Sequence, residues 1–412
     1  MKVLIISQHY WPESFRINEV AESLQRAGCT ITVLTGQPNY PDGIVFDGYR
    51  AGSMRVEAHA GYTIHRVPLV PRGRGTAKRL VANYLSFLFA ASVLAPWSLR
   101  GQRFDVIFVY GTSPILQAIA GIVIKFFKRV ALVTWVQDLW PESLEVTGFV
   151  RNKRLLSAVA TVVRWIYRRS DLLLVQSDAF ILPVKAMAGE TPVACHPNPG
   201  ELSFSEPRAT GRPALVLAPG FSVMFAGNMG TVQALDTVLD AAERLLSQPS
   251  IRFVLIGSGS RSEWLAGEVA RRHLTNVQLA GRFPAGAMPA ILAQASVLLV
   301  SLVRSPVMAQ TVPSKIQAYL AAGRPIIAAL DGEGATVVTT AGAGVACPAE
   351  DDAALADAIM RLHGMDAAAR SRMGDAGLRY YAEHYDPAVL AKRLIGHFSE
   401  AAARMQRPAF GH

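Results

Sequence analysis

The sequence predicts an α/β chain folded as two doubly wound parallel sheets. Three observations carry that expectation. Short apolar runs bounded by turn residues alternate with amphipathic stretches over residues 2–188, and such alternation gives parallel strands joined by crossover helices. The run HPNPGELSFSEPRATGRPALVLAPG, residues 196–220, is dense in Pro and Gly and lacks periodicity, so it reads as a linker. The same rhythm restarts at Phe221. Length agrees: 412 residues suit two or three domains, and 51% hydrophobic with 17% charged residues is a globular composition.

In chain order, residues 2–7 form a strand and the loop 8–14 leads into an amphipathic helix ending near Gly28. MKVLIISQ has too few apolar residues for a secretory h-region. Residues 30–35 are a second strand, 36–49 a loop rich in Gly, Pro, Asn and Asp, and 54–70 contain a short β segment. Residues 80–99 carry no charge and lie between Arg79 and Arg100. Three readings stand for them. They form a buried or half-buried domain helix, a helix dipping into a membrane interface, or a span, which Asn83, Ser86, Ser92 and Pro96 disfavour.

The rhythm resumes with strands at 105–110, 130–136 and 172–176, and helices at 113–127, 153–169 and up to Ala188. In the second half, strands are expected at 221–226, 253–256, 277–279, 296–302 and 326–330. Helices follow GNMG and occupy 351–363 and 367–383, with a last amphipathic segment at 387–405. There is no sequence-level repeat, only a repeated architecture.

Charge is unevenly placed. Residues 1–200 hold 22 Lys/Arg against 13 Asp/Glu, +9, whereas residues 201–412 hold 19 against 18, +1. An anionic partner is expected for the first half alone. Nucleic acid is not favoured, because no basic run interleaves with aromatics. A negatively charged membrane surface fits better, with Arg72, Arg74, Lys78 and Arg79 preceding the apolar stretch. Cys29, Cys195 and Cys347 lie far apart without metal-ligand spacing, which points to a reducing compartment and no structural zinc.

The stretch SPVMAQTVPSKIQAYLAAGRPIIA, residues 305–328, is the most informative. Pro313 suits a first helical turn. Ile316, Tyr319 and Leu320 make one apolar face. Ser314 and Lys315 then sit among free N–H groups, where the helix dipole and an ammonium suit a phosphate; an ordinary capped crossover would look the same. GNMG, Gly227 to Gly230, opens a crevice after a first strand, a place where backbone N–H groups meet ligands. Gly257-x-Gly259-x-x-Ser262 is a weak dinucleotide fingerprint, since Leu279 stands where a ribose-binding acid belongs. Asp138 and Glu142 follow a strand beside Trp140 and Pro141. They are placed to orient a hydroxyl or take its proton, while Asp138 also suits a cap. No D-x-D occurs at a strand end, and Asp351-Asp352 reads as an N-cap, so no metal site and no cofactor are expected.

P-S-K-x-x-x-Y-L-A-A-G-x-P-I-I, with HYWPE (His9 to Glu13), VQDLWPES (Val136 to Ser143) and FAGNMG (Phe225 to Gly230) in that order, resembles family-4 glycosyltransferases. The likeness is to the subgroup building colanic acid, O-antigen and capsule repeats. That resemblance implies the GT-B fold, two Rossmann-like domains facing each other across a cleft. Residues 1–200 would bind the acceptor, 201–220 link, 221–385 bind the nucleotide-sugar, and 386–412 return to the first domain. It further implies retaining, metal-independent transfer from a nucleotide-sugar donor to a polyprenyl-diphosphate-linked sugar acceptor, peripherally at the cytoplasmic membrane face. The donor guess is a UDP N-acetylated amino sugar such as N-acetylfucosamine, with GDP-fucose second.

Implied donor contacts are Gly227, Asn228, Gly230, Ser314 and Lys315, with Arg282 and Phe283 beside the base. Asp138, Lys315 and His9 are the catalytic candidates, and Glu13, Arg16, Asn18 and Glu142 the acceptor contacts. The family's paired glutamates fall at Gln310 and Ala318, which leaves Gln310 or Gln317 as neutral replacements. Their loss also leaves a second class open, a membrane scaffold without turnover.

Overall fold

The central apolar runs become strands buried on both faces, as parallel sheets covered by helices on each side require. In a computed structural model, which describes residues 1–73, 76–146, 152–201, 215 and 217–406, the strands form two sheets, each in its own unit. The units are Met1–Pro197 with Leu390–His412, and Asn198–Val389. Most of the expected linker and Arg74 lie outside the described residues.

The first unit contains β1 (Lys2–Ile6), β2 (Thr30–Gly36), β3 (Arg55–His59), β4 (Tyr62–Val67), β5 (Val106–Gly111), β6 (Ala131–Val136), β7 (Leu172–Val175) and β8 (Val193–Cys195). Their order is β3-β4-β2-β1-β5-β6-β7-β8. All pairs are parallel except the β3–β4 hairpin at the edge. Residues 54–70 are therefore two strands rather than one segment. The three-residue β8 escaped sequence reading because it is too short to show a period.

Successive strand residues point to opposite faces. Leu4 and Ile6 pack with the helices Ala77–Ser98, Ala118–Lys128, Lys153–Arg169 and Ile181–Ala188. Val3 and Ile5 pack with the helix Arg16–Arg26 and with Ala391, Leu394 and Phe398 of the terminal helix Pro387–Gln406. The helix Ala77–Ser98 is half-buried. Phe87, Ala91 and Ala95 are enclosed in the core, and Asn83 accepts from Gln8 Nε2 at 2.7 Å and donates to the Val70 carbonyl at 2.7 Å. Those contacts make it a layer of the unit; a spanning helix would strip this sheet of its cover.

The second unit contains β9 (Phe221–Asn228), β10 (Ile251–Ser258), β11 (Val277–Gly281), β12 (Val297–Ser301), β13 (Ile326–Ala329) and β14 (Gly344–Cys347), ordered β11-β10-β9-β12-β13-β14 and all parallel. The strand order reverses between β9 and β12, the kind of switch point where ligands collect beyond the strand C-termini. Strands β9 and β10 outrun the sequence reading because their ladder continues through Gly257↔Gly227 and Ser258↔Asn228. The helix Glu333–Thr340 and β14 were not foreseen. Asp351 caps the helix Asp352–His363 by accepting from Ala354 N at 2.8 Å.

Candidate active site

Lys315 is the second residue of the helix Ser314–Ala322, and Pro313 sits at the N-cap, just before the first turn. Ile316, Tyr319 and Leu320 are the buried face of that helix. Tyr319 locks it to β9: its hydroxyl accepts from Ala226 N at 2.9 Å and donates to Ala226 O at 3.2 Å. The Lys315 side chain therefore lies against the end of β9. Its ammonium stands 3.8 Å from the Phe225 ring centroid and donates to Gln233 Oε1. Burial pushes its pKa down to about 7.

Two glycines make room for it. Gly227 has φ 136° and Gly257 φ 133°, values that side chains rarely tolerate. A Cβ on Gly227 would stand 2.5 Å from Lys315 Cε, and one on Gly257 would strike the Gly227 carbonyl. The weak fingerprint at Gly257 is thus first a packing device, although Gly257 also borders a cavity.

That cavity, of about 810 Å³, opens at these strand ends. Its walls are the helix start at Pro313, Ser314 and Lys315, and the strand ends at Gly227, Asn228 and Gly257. Arg282 and Phe283 border it after β11, with Met288 and Leu292 beside them. Glu201 and Ala318 reach it as well. Among the described lining residues Glu201 is the sole acid, against two cations, Lys315 and Arg282.

Of the sequence candidates, Gly227, Asn228, Ser314, Lys315, Arg282 and Phe283 meet at this cavity, and three do not. Gly230 is a turn position where a Cβ would stand 2.9 Å from Asn228 Nδ2. Gln310 ends the short helix Pro306–Ala309. Gln317 is buried and donates to the Asn198 carbonyl at 2.9 Å, because it lies about half a turn beyond Lys315 and faces inward. Glu201 and Gln233 were missed. Glu201 sits inside the Pro/Gly-rich run, where no periodicity marks it, and Gln233 belongs to a 3₁₀ turn, Thr231–Gln233.

In the first unit the loop after β1 is arranged differently. Glu13 is buried, and its Oε2 meets His9 Nδ1 at 3.0 Å and accepts from Tyr10 N at 3.2 Å. Its Oε1 accepts from Asn39 N and Tyr40 N, both at 2.7 Å. Asn18 accepts from Trp11 N at 3.1 Å and donates to Glu13 O at 2.7 Å. Buried His9 stacks on Phe15 with centroids 5.0 Å apart. These contacts correct the expectation for Glu13 and Asn18. Their polar atoms hold the loop together and are not offered to an acceptor.

Asp138 is only partly buried. Its Oδ2 accepts from Ser113 N at 3.0 Å and Ser113 Oγ at 2.8 Å, and Trp140 Nε1 donates to the same Oγ at 2.9 Å. The end of β5 thereby aims the carboxylate. Arg16 pairs with Glu19 at 3.1 Å, and both Arg16 and Asp138 act on the buried Tyr110 phenol, whose pKa is raised chiefly by burial. Glu142 is exposed at the start of the short helix Glu142–Val146.

Two family models match the chain, "Glycosyl transferase 4-like domain" over residues 14–199 and "Glycosyl transferases group 1" over 220–364. Between them they account for most of its length. The chain belongs to the family-4 glycosyltransferases of the GT-B fold. Curated relatives of this glycosyltransferase include "Putative colanic acid biosynthesis glycosyl transferase WcaI" of Escherichia coli K12, 28% identical and covering 78% of this chain and 82% of that one. "Probable glycosyltransferase WbjE" of Pseudomonas aeruginosa is 23% identical over 73% and 76%. Among solved structures, sucrose-phosphate synthase from Thermosynechococcus elongatus superposes with a TM-score of 0.72 at 17% identity, over 98% of this chain and 99% of that one. Anabaena HepE, solved with UDP, gives 0.68 at 14% over 97% and 100%.

Of the two positions where the resemblance implies glutamates, Ala318 lines the cavity without a carboxylate and Gln310 is not among the lining residues. Glu201 reaches the same cavity from a different part of the chain.

Proposed function

We propose that this glycosyltransferase moves a sugar from a nucleoside-diphosphate sugar to a hydroxyl of a polyprenyl-diphosphate-linked acceptor, with retention and without a metal ion. Its product is a repeat of a bacterial surface polysaccharide, an O-antigen, capsule or exopolysaccharide, made at the cytoplasmic face of the membrane. Lys315 carries the reading: an ammonium at a helix N-terminus, in the wall of a cavity shaped by two glycines, is a diphosphate partner. The bond from the anomeric carbon to the diphosphate breaks, and charge developing on the leaving oxygen meets Lys315 and the first N–H groups of its helix. The acceptor oxygen takes over the anomeric carbon, and its proton passes to a base.

Glu201 supplies the ribose hydroxyls with an acceptor in place of the glutamate missing at Ala318. Arg282 and Phe283 border the base. The UDP bound in HepE and the colanic-acid role in the name of WcaI support a nucleotide donor and a polysaccharide product. A UDP N-acetylated amino sugar is the first donor and GDP-fucose the second. Metal-free departure of the diphosphate is supported by two cations against one acid among the cavity's described lining residues.

A panel of nucleotide sugars tests the reading, scored as nucleoside diphosphate released with and without EDTA. Turnover of one donor that persists in EDTA is expected. Activity lost on chelation and restored by Mg²⁺ or Mn²⁺ removes the metal-free mechanism. A folded protein that binds nucleotide but turns over no donor is the scaffold suggested by Ala318.

A further inference from the structure

The first unit covers its sheet with two unlike layers. One layer is the four helices Ala77–Ser98, Ala118–Lys128, Lys153–Arg169 and Ile181–Ala188, which pack on one core and on one another in that order. These four helices contain no Asp or Glu, yet they carry Lys78, Arg79, Lys125, Lys128 and Lys185, and five further basic residues lie on Lys153–Arg169. Lys125 is paired with Asp171 at 2.7 Å, and Lys128 donates to the carbonyls of Leu99 and Gln102. The other cations of the layer have no acid on these helices to answer them. On the opposite layer, helix Arg16–Arg26 balances two arginines with Glu19 and Glu22.

The acid-free layer is also apolar on its outer side. Along Ala77–Ser98, Val81, Leu85, Phe89, Val93 and Trp97 recur every fourth residue and are all exposed, Phe89 by 72% and Trp97 by 75%. Between them Asn83, Phe87, Ala91 and Ala95 are buried. The neighbouring helices of the layer add further exposed apolar residues, Phe126, 79% exposed, Phe127, Trp165 and Leu182, 77% exposed. Arginines stand beside both tryptophans: Arg100 is 5.6 Å from the Trp97 ring and Arg169 is 5.8 Å from Trp165. Water-exposed apolar rows of this extent mark a docking surface.

We infer that this four-helix layer is a monotopic docking face for an anionic phospholipid bilayer. Charge and shape select the occupant. A second copy would set the unanswered cations of one layer against those of another, whereas an anionic headgroup layer neutralises them while the hydrocarbon boundary takes the apolar row. Indole rings flanked by arginine suit headgroup depth. The helix lies in the interface and does not cross it, because its inner side is the cover of the sheet. The inference rests on the proposed lipid-carried acceptor for its biological sense and on the layer itself for its physics.

The test is sedimentation of the full chain with vesicles of phosphatidylcholine alone or mixed with phosphatidylglycerol. Binding to the anionic vesicles is expected, weakened by about tenfold or more when Phe89→Ser and Trp97→Ser are combined. Lys392→Glu on the opposite layer should leave binding unchanged. Brominated lipid should quench wild-type tryptophan fluorescence, and quench Trp97→Phe less. Both serine positions are exposed, so an unchanged melting temperature confirms folding. Three outcomes overturn the inference: no binding by wild type, equal binding by the double variant, or self-association of wild type that the same double variant abolishes. Release of nucleoside diphosphate with a soluble acceptor is read in parallel. It should survive the double substitution, and its absence in wild type would sink the proposed chemistry while leaving the docking face intact.

Discussion

The loop after β1 and the loop after β9 occupy equivalent places, each beyond the first strand of a doubly wound sheet, yet they are built in opposite ways. Around Glu13 the polar atoms answer one another, with both carboxylate oxygens bonded to His9 or to backbone N–H groups. At the end of β9, where Lys315 of a later helix lies against it, polar atoms border open space, and Gly227 and Gly257 leave room for the lysine and the neighbouring strand. A conspicuous motif can thus be either scaffold or binding wall. Satisfied hydrogen bonds make the first, and a cation kept beside a cavity at a desolvation cost makes the second.

Substitution should separate the two. Glu13→Ala leaves the N–H groups of Tyr10, Asn39 and Tyr40 without their acceptor, so urea unfolding should show a loss of roughly 3 kcal/mol or more. Turnover per folded molecule should stay near wild type. Lys315→Met should do the reverse. It removes a bond to a charged diphosphate, worth ~1.5–3 kcal/mol, so turnover should fall at least about tenfold. The melting temperature should match or exceed wild type, because a buried amine is gone. If Glu13→Ala abolished turnover while unfolding normally, the contrast between the loops would be broken.

The smallest effect is in pH. With no ligand, burial holds the Lys315 pKa near 7, and a bound diphosphate raises it. Donor binding then takes up a proton above pH 7. Affinity should be full below about pH 7 and fall by up to about tenfold per unit above it, until the pKa of the complex is reached. Calorimetric Kd values in buffers of different ionisation enthalpy would read both the slope and the proton. A Kd flat from pH 7 to 9 would mean that Lys315 does not meet the diphosphate.

Much of the fold was legible because strand and helix periods are local properties. The helix at Ser314 could be read from Pro313 and from the spacing of Ile316, Tyr319 and Leu320. The helix Lys153–Arg169 matched to the residue. Strand ends at Gly227 and Gly257 were read short, since a glycine argues for a turn until a neighbouring strand is known to continue the ladder. The positions of site candidates were legible only where the backbone itself set them. Lys315 belongs to the helix that carries it, but Glu13 is saturated by residues 26 and 27 positions away, and Gln317 turns inward for a carbonyl 119 positions away.

What the sequence determined alone was the alternation, the family motifs and the +9 of its first 200 residues. Only tertiary structure decided that the cations of four separate helices share one face, because that depends on which side of the sheet each crossover takes. The same is true of Glu201, which no local pattern marks and which the folded chain brings to the cavity. Periodicity reports the neighbours a residue has along the chain, whereas the partners that quench or expose its charge come from contacts across it.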